Sequence, residues 1–274
     1  MTVQNIIDEI IKKTGVEKLP DDQTCDHIMT GSADMEVTKI VTTFMATVDV
    51  INEAIKIGAN FIITHEPTWF TGKDDTKWVE QDPVYLEKKK LIEDHKITIW
   101  RFHDHMHMGK EDGIYRGFQI ETNWKQYVIE GPENFKHYGE CYQIPKTSLR
   151  QLCEFFKKIL PMEVIQIVGN PEMSVERVGV LVGGGSLGFG REELPMELLH
   201  QNNLDLVICG DIVEWTISAY VRDAVSLGHN KGMLILGHER SEEMGMKYLG
   251  DWMADITGPI EVHFVDSKEP FLYL

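Results

Sequence analysis

The sequence predicts an α/β protein, and three patterns carry that expectation. Short continuous apolar runs alternate with amphipathic segments, the order strand–helix–strand recurs, and glycine closes several of the helical stretches. Continuous apolar runs of four to six residues are what strands buried on both faces of a parallel sheet look like. Along the chain, Val3, Ile6, Ile7, Ile10 and Ile11 have helical spacing, and Gly15 ends the segment. Lys39–Ala46 reads as a strand, Val50–Ile57 as a helix stopped by Gly58, and Asn60–Thr64 as a second strand. Together they make a βαβ unit, which implies parallel pairing. Pro83–His95 is predicted helical and Ile97–Phe102 extended. Gly117–Pro145 is aromatic and polar with local alternation, as in short antiparallel strands, and Thr147–Leu160 follows as a helix capped by Thr147 or Ser148. Val178–Val182, Leu204–Cys209 and Gly232–Leu236 are apolar strands, and Trp215–Leu227 and Glu239–Met253 are helices. Val262–Val265 is a candidate last strand.

Composition narrows the function classes. In 274 residues, 27 basic and 44 acidic side chains give a net charge of −17, which repels nucleic-acid phosphates and anionic membranes alike. No apolar run approaches the roughly 18 residues of a membrane span. The first residues carry acids and have no cationic region before a long apolar one, so they do not read as a signal peptide. Cys25, Cys141, Cys153 and Cys209 are far apart with no C-x-x-C pair, the pattern of reduced thiols in a cytoplasmic chain.

The chemistry collects at strand ends. The run Phe61–Thr64 leads into His65 and Glu66. The run Ile97–Phe102 leads into His103, Asp104, His105, Met106 and His107. Gly232–Leu236 leads, through Gly237, into His238, with Glu242 one helical turn on. In open parallel sheets ligands gather beyond the carboxyl ends of the strands, so neighbouring strands would bring the three clusters together. His238 and Glu242, at i and i+4, share a helix face. Were residues 103–107 extended, His103, His105 and His107 would point one way. Imidazole mixed with carboxylate suits a divalent zinc, manganese, iron, cobalt or nickel ion, and the lack of nearby cysteine argues against a closed structural zinc site. Singly, each histidine would read as a hydrogen-bonded structural residue. All three clusters at strand ends favour a metal site. A second motif, Gly183–Gly188, fits G-x-G-x-x-G, but Gly190 follows and Pro195 interrupts the helix a dinucleotide fold requires. A tight turn near the metal cleft, or backbone amides facing a phosphate, is the better reading. Asp211, after the strand Leu204–Cys209, is expected as a helix cap or as support for a ligand.

At these residues the chain resembles the NIF-three-like dinuclear-metal family, often named GTP cyclohydrolase I type 2. The segment DVINEAIKIGANFIITHEPTWF is similar to its strand–helix–strand signature, VGVLVGGGSLGF to its Gly-rich strand end, VICGDIVEWTISAYVRDAVSLG to its later Gly-Asp unit, and LGHERSEEMGMKYL to its final Gly-His-x-x-Ser/Thr-Glu motif. The likeness is collinear from about residue 40 to 255. It implies two interlinked α/β lobes with a metal site between them, and a toroidal homohexamer. Residues 1–122 with 232–274 would form the metal-site lobe and 123–231 the second. The ligands it implies are His65, Glu66, His103, His107, His238 and Glu242, holding one or two divalent transition-metal ions per chain. Two positions depart from the family pattern: Glu66 stands where the family has a second histidine, and His107 where it has an aspartate.

The function expected from all this is metal-dependent hydrolysis of a small phosphorylated or heterocyclic, nucleotide-like substrate. Glu66 or Glu242 would be ligand or general base, with Asp104 a lesser candidate. The alternative is a non-enzymatic hexameric metal-binding regulator or partner-binding scaffold. An open coordination position separates the two.

Overall fold

The computed structural model describes residues 1–130 and 138–274. Those residues form two compact units. The first is Met1–Gly117 with Glu243–Lys268, and the second is Phe118–Glu242 with Glu269–Leu274. Each unit is built on its own sheet.

The first unit opens with α1 (Val3–Thr14), whose start is fixed by a reciprocal pair of hydrogen bonds between Thr2 and Asn5. Then follow β1 (Ile28–Thr30), β2 (Ile40–Thr43), α2 (Val48–Ile57), β3 (Phe61–Thr64), α3 (Pro83–Asp94), β4 (Thr98–Arg101), α4 (Asp104–Met108) and α5 (Gly113–Thr122), whose last turns belong to the second unit. Thr47 caps α2 through its hydroxyl, and Gly58, at φ 75°, ends it in the left-handed conformation that lets the chain turn straight into β3. The five-stranded sheet has the order β1-β4-β3-β2-β11, where β11 is introduced below. β2, β3 and β4 pair in parallel with a simple register, Thr43 beside Thr64 and Thr64 beside Arg101, so their carboxyl ends lie side by side. All four residues of each of these strands are buried. Ile51 and Ala54 of α2 and Tyr85 and Ile92 of α3 pack on Val41, Ile62 and Ile99. Burying an Ile or Val side chain contributes about 1.5–3 kcal/mol, so this core fixes the strand ends firmly.

The second unit carries β5 (Val128–Ile129), β6 (Glu140–Ser148), α6 (Leu149–Ile159), β7 (Gln166–Val168), β8 (Ser174–Leu181), α7 (Leu194–Gln201), β9 (Leu206–Cys209), α8 (Ala219–Ser226) and β10 (Gly232–Ile235). Its sheet runs β5-β6-β8-β9-β10-β7, parallel from β8 to β10 and antiparallel at both flanks. Helix α9 (His238–Trp252) starts in this unit and continues into the first, where α10 (Ala254–Thr257) and β11 (Val262–Phe264) complete the fold; β11 pairs with β2 in parallel.

Several expectations need correction. β10 does not lie beside β3 and β4. It belongs to the six-stranded sheet, next to β9. Apolar runs announce strands but not their order. Residues 104–108 are helical, not extended, because the Asp26 carboxylate accepts hydrogen bonds from the amides of His103, Asp104 and His105 and so nucleates a turn. Pro195 does not interrupt a helix: it sits in the first turn of α7, where the missing N–H costs nothing. Of the stretch expected as antiparallel strands, 117–122 is the end of α5, while β5 and β6 are antiparallel as expected; 131–137 lie outside the described residues.

Candidate metal centre

In the first unit three imidazoles converge at the strand ends. His65 follows β3, His103 follows β4, and His107 lies one turn along α4. Their ring centroids are 4.6 to 5.0 Å apart, and one ring nitrogen from each lies within 4.8 Å of the other two. The helical form of residues 104–108 selects these rings. His103 and His107 are i and i+4 on one face, whereas His105 turns away.

The hydrogen bonds at Nδ1 decide what each ring can do. His65 Nδ1 lies 3.1 Å from the Phe102 carbonyl oxygen, His103 Nδ1 2.9 Å from Asp104 Oδ1, and His107 Nδ1 2.8 Å from Asp112 Oδ2. A carbonyl or carboxylate only accepts, so each Nδ1 carries the proton and each Nε2 of the neutral ring is a lone pair. His65 Nε2 and His107 Nε2 nevertheless stand 3.2 Å apart. Two lone pairs at that distance call for a cation on which they converge, a proton or a metal. Two nitrogens on one tetrahedral zinc, each at 2.0–2.1 Å, would be separated by about 3.3 Å. Orientation of ligand rings by acceptors on Nδ1 is the usual support of a metal-bound histidine. The donor set therefore fits a divalent metal.

His105 is the counter-example within the same five residues. Its Nδ1 meets Asp26 Oδ2 at 2.6 Å, and its Nε2 accepts from the Leu19 amide at 3.1 Å. Both nitrogens are used and the ring is buried, so His105 braces the α4 turn. Glu66 is held by Arg101, whose Nη2 lies 3.1 Å from Oε2, and Glu66 Oε1 is 3.8 Å from His103 Nε2. Arg101 is itself buried and also donates to the carbonyls of His65 and Gly72. The Asp104 carboxyl is held well below the usual carboxylate range, chiefly by its hydrogen bond to His103, with the Cys25 amide adding to it and burial opposing it. Such a group orients His103 and is a poor proton acceptor. Burial pushes the nearby Cys25 thiol up to about 12, so it is a neutral thiol at ordinary pH.

The second unit presents another pair. His238 opens α9, with Nδ1 2.8 Å from Asp211 Oδ2 and Nε2 3.1 Å from Glu242 Oε2. A neutral imidazole donates from one nitrogen only. With a carboxylate at each, the second again calls for a proton or a metal. The Gly-rich segment turns out to be the wall of this pair. Residues 183–190 form tight 3₁₀-type turns. Gly183 has φ 51°, and a Cβ there would fall 1.9 Å from Glu242 Oε1 and 2.8 Å from His238 Nε2. The Gly183 amide donates to Ser241 Oγ at 2.9 Å. The tight turn expected from the sequence is present; the helix of a dinucleotide fold does not follow it.

A family model of Duf34/NIF3 (NGG1p interacting factor 3) matches residues 1–270. The chain belongs to the Duf34/NIF3 family. Among relatives, a Haemophilus influenzae protein named GTP cyclohydrolase 1 type 2 homolog is 25% identical over 263 residues, covering 93% of this chain and 95% of its own. A Bacillus cereus protein related to NIF3 superposes with TM-score 0.70 at 15% identity, over 100% of this chain and 99% of that one. Reduced HcgD from Methanocaldococcus jannaschii superposes with TM-score 0.69 at 18% identity, over 96% and 97%. These two structures share the NIF3 fold with this chain.

Within this Duf34/NIF3 chain, sequence reasoning named the convergent histidines but not what supports them. Asp112 was open to reading, five residues beyond His107. Asp26 and Arg101 had no signal, since Asp26 lies in a polar stretch and Arg101 inside a strand. Asp211, left between two roles, faces His238.

Proposed function

We propose that this protein is a metal-dependent hydrolase of a small phosphorylated or heterocyclic, nucleotide-like substrate. Its ligands would be His65, Glu66, His103, His107, His238 and Glu242, and it would hold one or two divalent transition-metal ions per chain. The observation that supports this most is the 3.2 Å approach of His65 Nε2 and His107 Nε2 while both Nδ1 protons are held elsewhere. The name carried by the Haemophilus influenzae relative, a GTP cyclohydrolase homolog, points the substrate class toward nucleotides. A divalent ion bound there would polarise a carbonyl or phosphoryl oxygen and lower the pKa of a water molecule to about 7.

The chain's own groups do the rest. Phe102 O, Asp104 and Asp112 keep the Nδ1 protons in place and so aim Nε2 inward. Arg101 fixes Glu66 through Oε2, and its Oε1 lies 3.8 Å from His103 Nε2, where it would ligate or accept a proton. Asp211 does for His238 what Asp112 does for His107. Against a net charge of −17, an anionic substrate would depend on the metal for its attraction. We include the homohexamer in the proposal on the strength of the sequence resemblance.

The test is to load the full chain with zinc, manganese, iron, cobalt or nickel in turn and incubate it with GTP and a panel of nucleotides. Loss of the purine absorbance and release of phosphate are followed. Turnover that needs metal and falls at least a hundredfold in His107→Ala is expected. A chain that holds metal yet turns over nothing in the panel would overturn the enzymatic reading in favour of a metal-binding scaffold.

A further inference from the structure

Against Met106 of α4, the first unit has a partly open cavity of about 310 Å³. That is at the lower end of the range of small-molecule sites, which bind through apolar walls and a few convergent polar groups. Its apolar lining includes Phe102, Met106, Tyr248 and Trp252. Aromatic faces and a methionine sulfur are surfaces on which a flat ring packs well.

Its polar lining is cationic, against the trend of the whole chain. Lys13, Lys110 and Arg116 face a single acid, Glu111. The Lys13 ammonium is bound to the Trp252 carbonyl at 2.6 Å and to the Asp255 carboxylate, so its charge is compensated. Lys110 and Arg116 against Glu111 leave a local excess of one positive charge. Arg116 Nε is buried and makes no hydrogen bond, and Glu111 Oε2, at 3.8 Å, is too distant to accept one. Arg116 lines the cavity, and its guanidinium carries N–H donors besides Nε. Arg pairs with carboxylates in a planar fork. A monoanion matches an excess of one charge; a phosphate monoester overshoots it.

The cavity also borders the segment that follows α4. Gly109, Lys110, Glu111 and Gly113 line it, and Asp112 sits among them. Asp112 Oδ2 holds His107 Nδ1 at 2.8 Å, while Oδ1 accepts from the amides of Ile114 and Tyr115 at the start of α5. Gly113 packs closely on Met106, where an added Cβ would lie 2.9 Å from Cε. A ligand in the cavity would touch the residues on both sides of Asp112, the group that holds His107 Nδ1.

We propose that this cavity binds a small planar aromatic carboxylate between Trp252, Tyr248 and Arg116, and that its occupancy is transmitted to His107 through Asp112. The cavity does not depend on the proposed metal function. The test therefore uses the full chain stripped of metal and keeps the two separate. Indole-3-acetate is titrated calorimetrically, with indole and phenyl phosphate beside it. One indole-3-acetate per chain is expected, with both comparison compounds at least tenfold weaker. Arg116→Met should weaken indole-3-acetate at least tenfold. The partly redundant, exposed Lys110→Met should weaken it severalfold in a chain whose fold is not at risk. Lys18→Met, outside the cavity, should leave it unchanged. In ring-nitrogen NMR the ligand should shift His107 and leave His263 of β11, outside the cavity, in place. Indole binding as tightly as its acetate, phenyl phosphate binding more tightly, or affinity unchanged in Arg116→Met and Lys110→Met would overturn the site. Saturable binding without a shift at His107 would overturn the transmission.

Discussion

His105 and His107 stand two residues apart in one helical turn, and only what meets Nε2 separates the brace from the proposed ligand. At His105 that atom accepts from the Leu19 amide; at His107 it faces another histidine. His105→Gln should therefore keep its metal affinity while destabilising the chain by about 1–3 kcal/mol, because the Leu19 amide and the Asp26 carboxylate lose a partner. Asp112→Asn should do the reverse and weaken metal 10–100-fold, the usual effect of removing such a support. Competition against a chelator and denaturant unfolding read the two separately. Lys88 offers a test that involves no metal. It is buried, donates to the Thr68 carbonyl at 2.7 Å, and has Asp74 as its charged neighbour, with Arg101 beyond. Burial pulls its ammonium down to about 8, against the attraction of Asp74. The folded chain then binds fewer protons than the unfolded one between pH 8 and the ordinary lysine value of 10.5. Stability from this group should rise across that window, by up to about 3 kcal/mol, and the penalty is complete below pH 8. In Lys88→Met that rise should vanish from the pH dependence of Tm; an identical profile in both proteins would contradict the burial argument.

At the scale of elements, the Gly-rich turn after β8 and the start of α9 make one prediction with its own control. Gly183→Ala would drive a methyl group into the Glu242 carboxylate and hold a side chain at φ 51°. It should destabilise the chain by more than 1 kcal/mol and displace metal from His238 and Glu242. Gly184→Ala meets nothing within 4 Å and should leave both unchanged. Elements with a long regular pattern were legible in the sequence. α1, α2, α3 and α6 show their apolar faces and caps, and β2, β3, β4, β9 and β10 lie in short, mainly apolar runs. Short elements were not. α4 has five residues, too few for a period, and its conformation is set by Asp26, some eighty residues earlier in the chain. The histidines were visible because residue type alone marks them. Their orientation was not, since it depends on contacts such as His107 with Asp112 that carry no sequence spacing of their own.

For the whole molecule, the parallel strands β2, β3, β4, β8, β9 and β10 followed from pattern, but the short flanking strands β1 and β7 and the division into two sheets did not. β10 reads like β3 in sequence, and only the pairing of β9 with β10 places it in the second sheet. The proposed ligands are far apart in sequence, so a metal ion bound by them should stabilise the native chain over the unfolded one. At a hundredfold excess over Kd that amounts to about 2.7 kcal/mol. Chelation should lower Tm and re-addition should restore it. Lowering the pH should release metal, because protons compete for the histidines. In light scattering the protein should have the mass of six protomers; a monomer at micromolar concentration would remove the hexamer. The central claim is that the Nε2 lone pairs of His65, His103 and His107 converge on a metal ion. Elemental analysis of tag-free full-length chain, at known protomer concentration, tests it most directly when wild type, His107→Gln and His105→Gln are measured together. One or two divalent transition-metal ions per chain are expected in wild type and His105→Gln, with a marked loss in His107→Gln. Metal content that is the same in all three, or absent from all three after saturation, would contradict it.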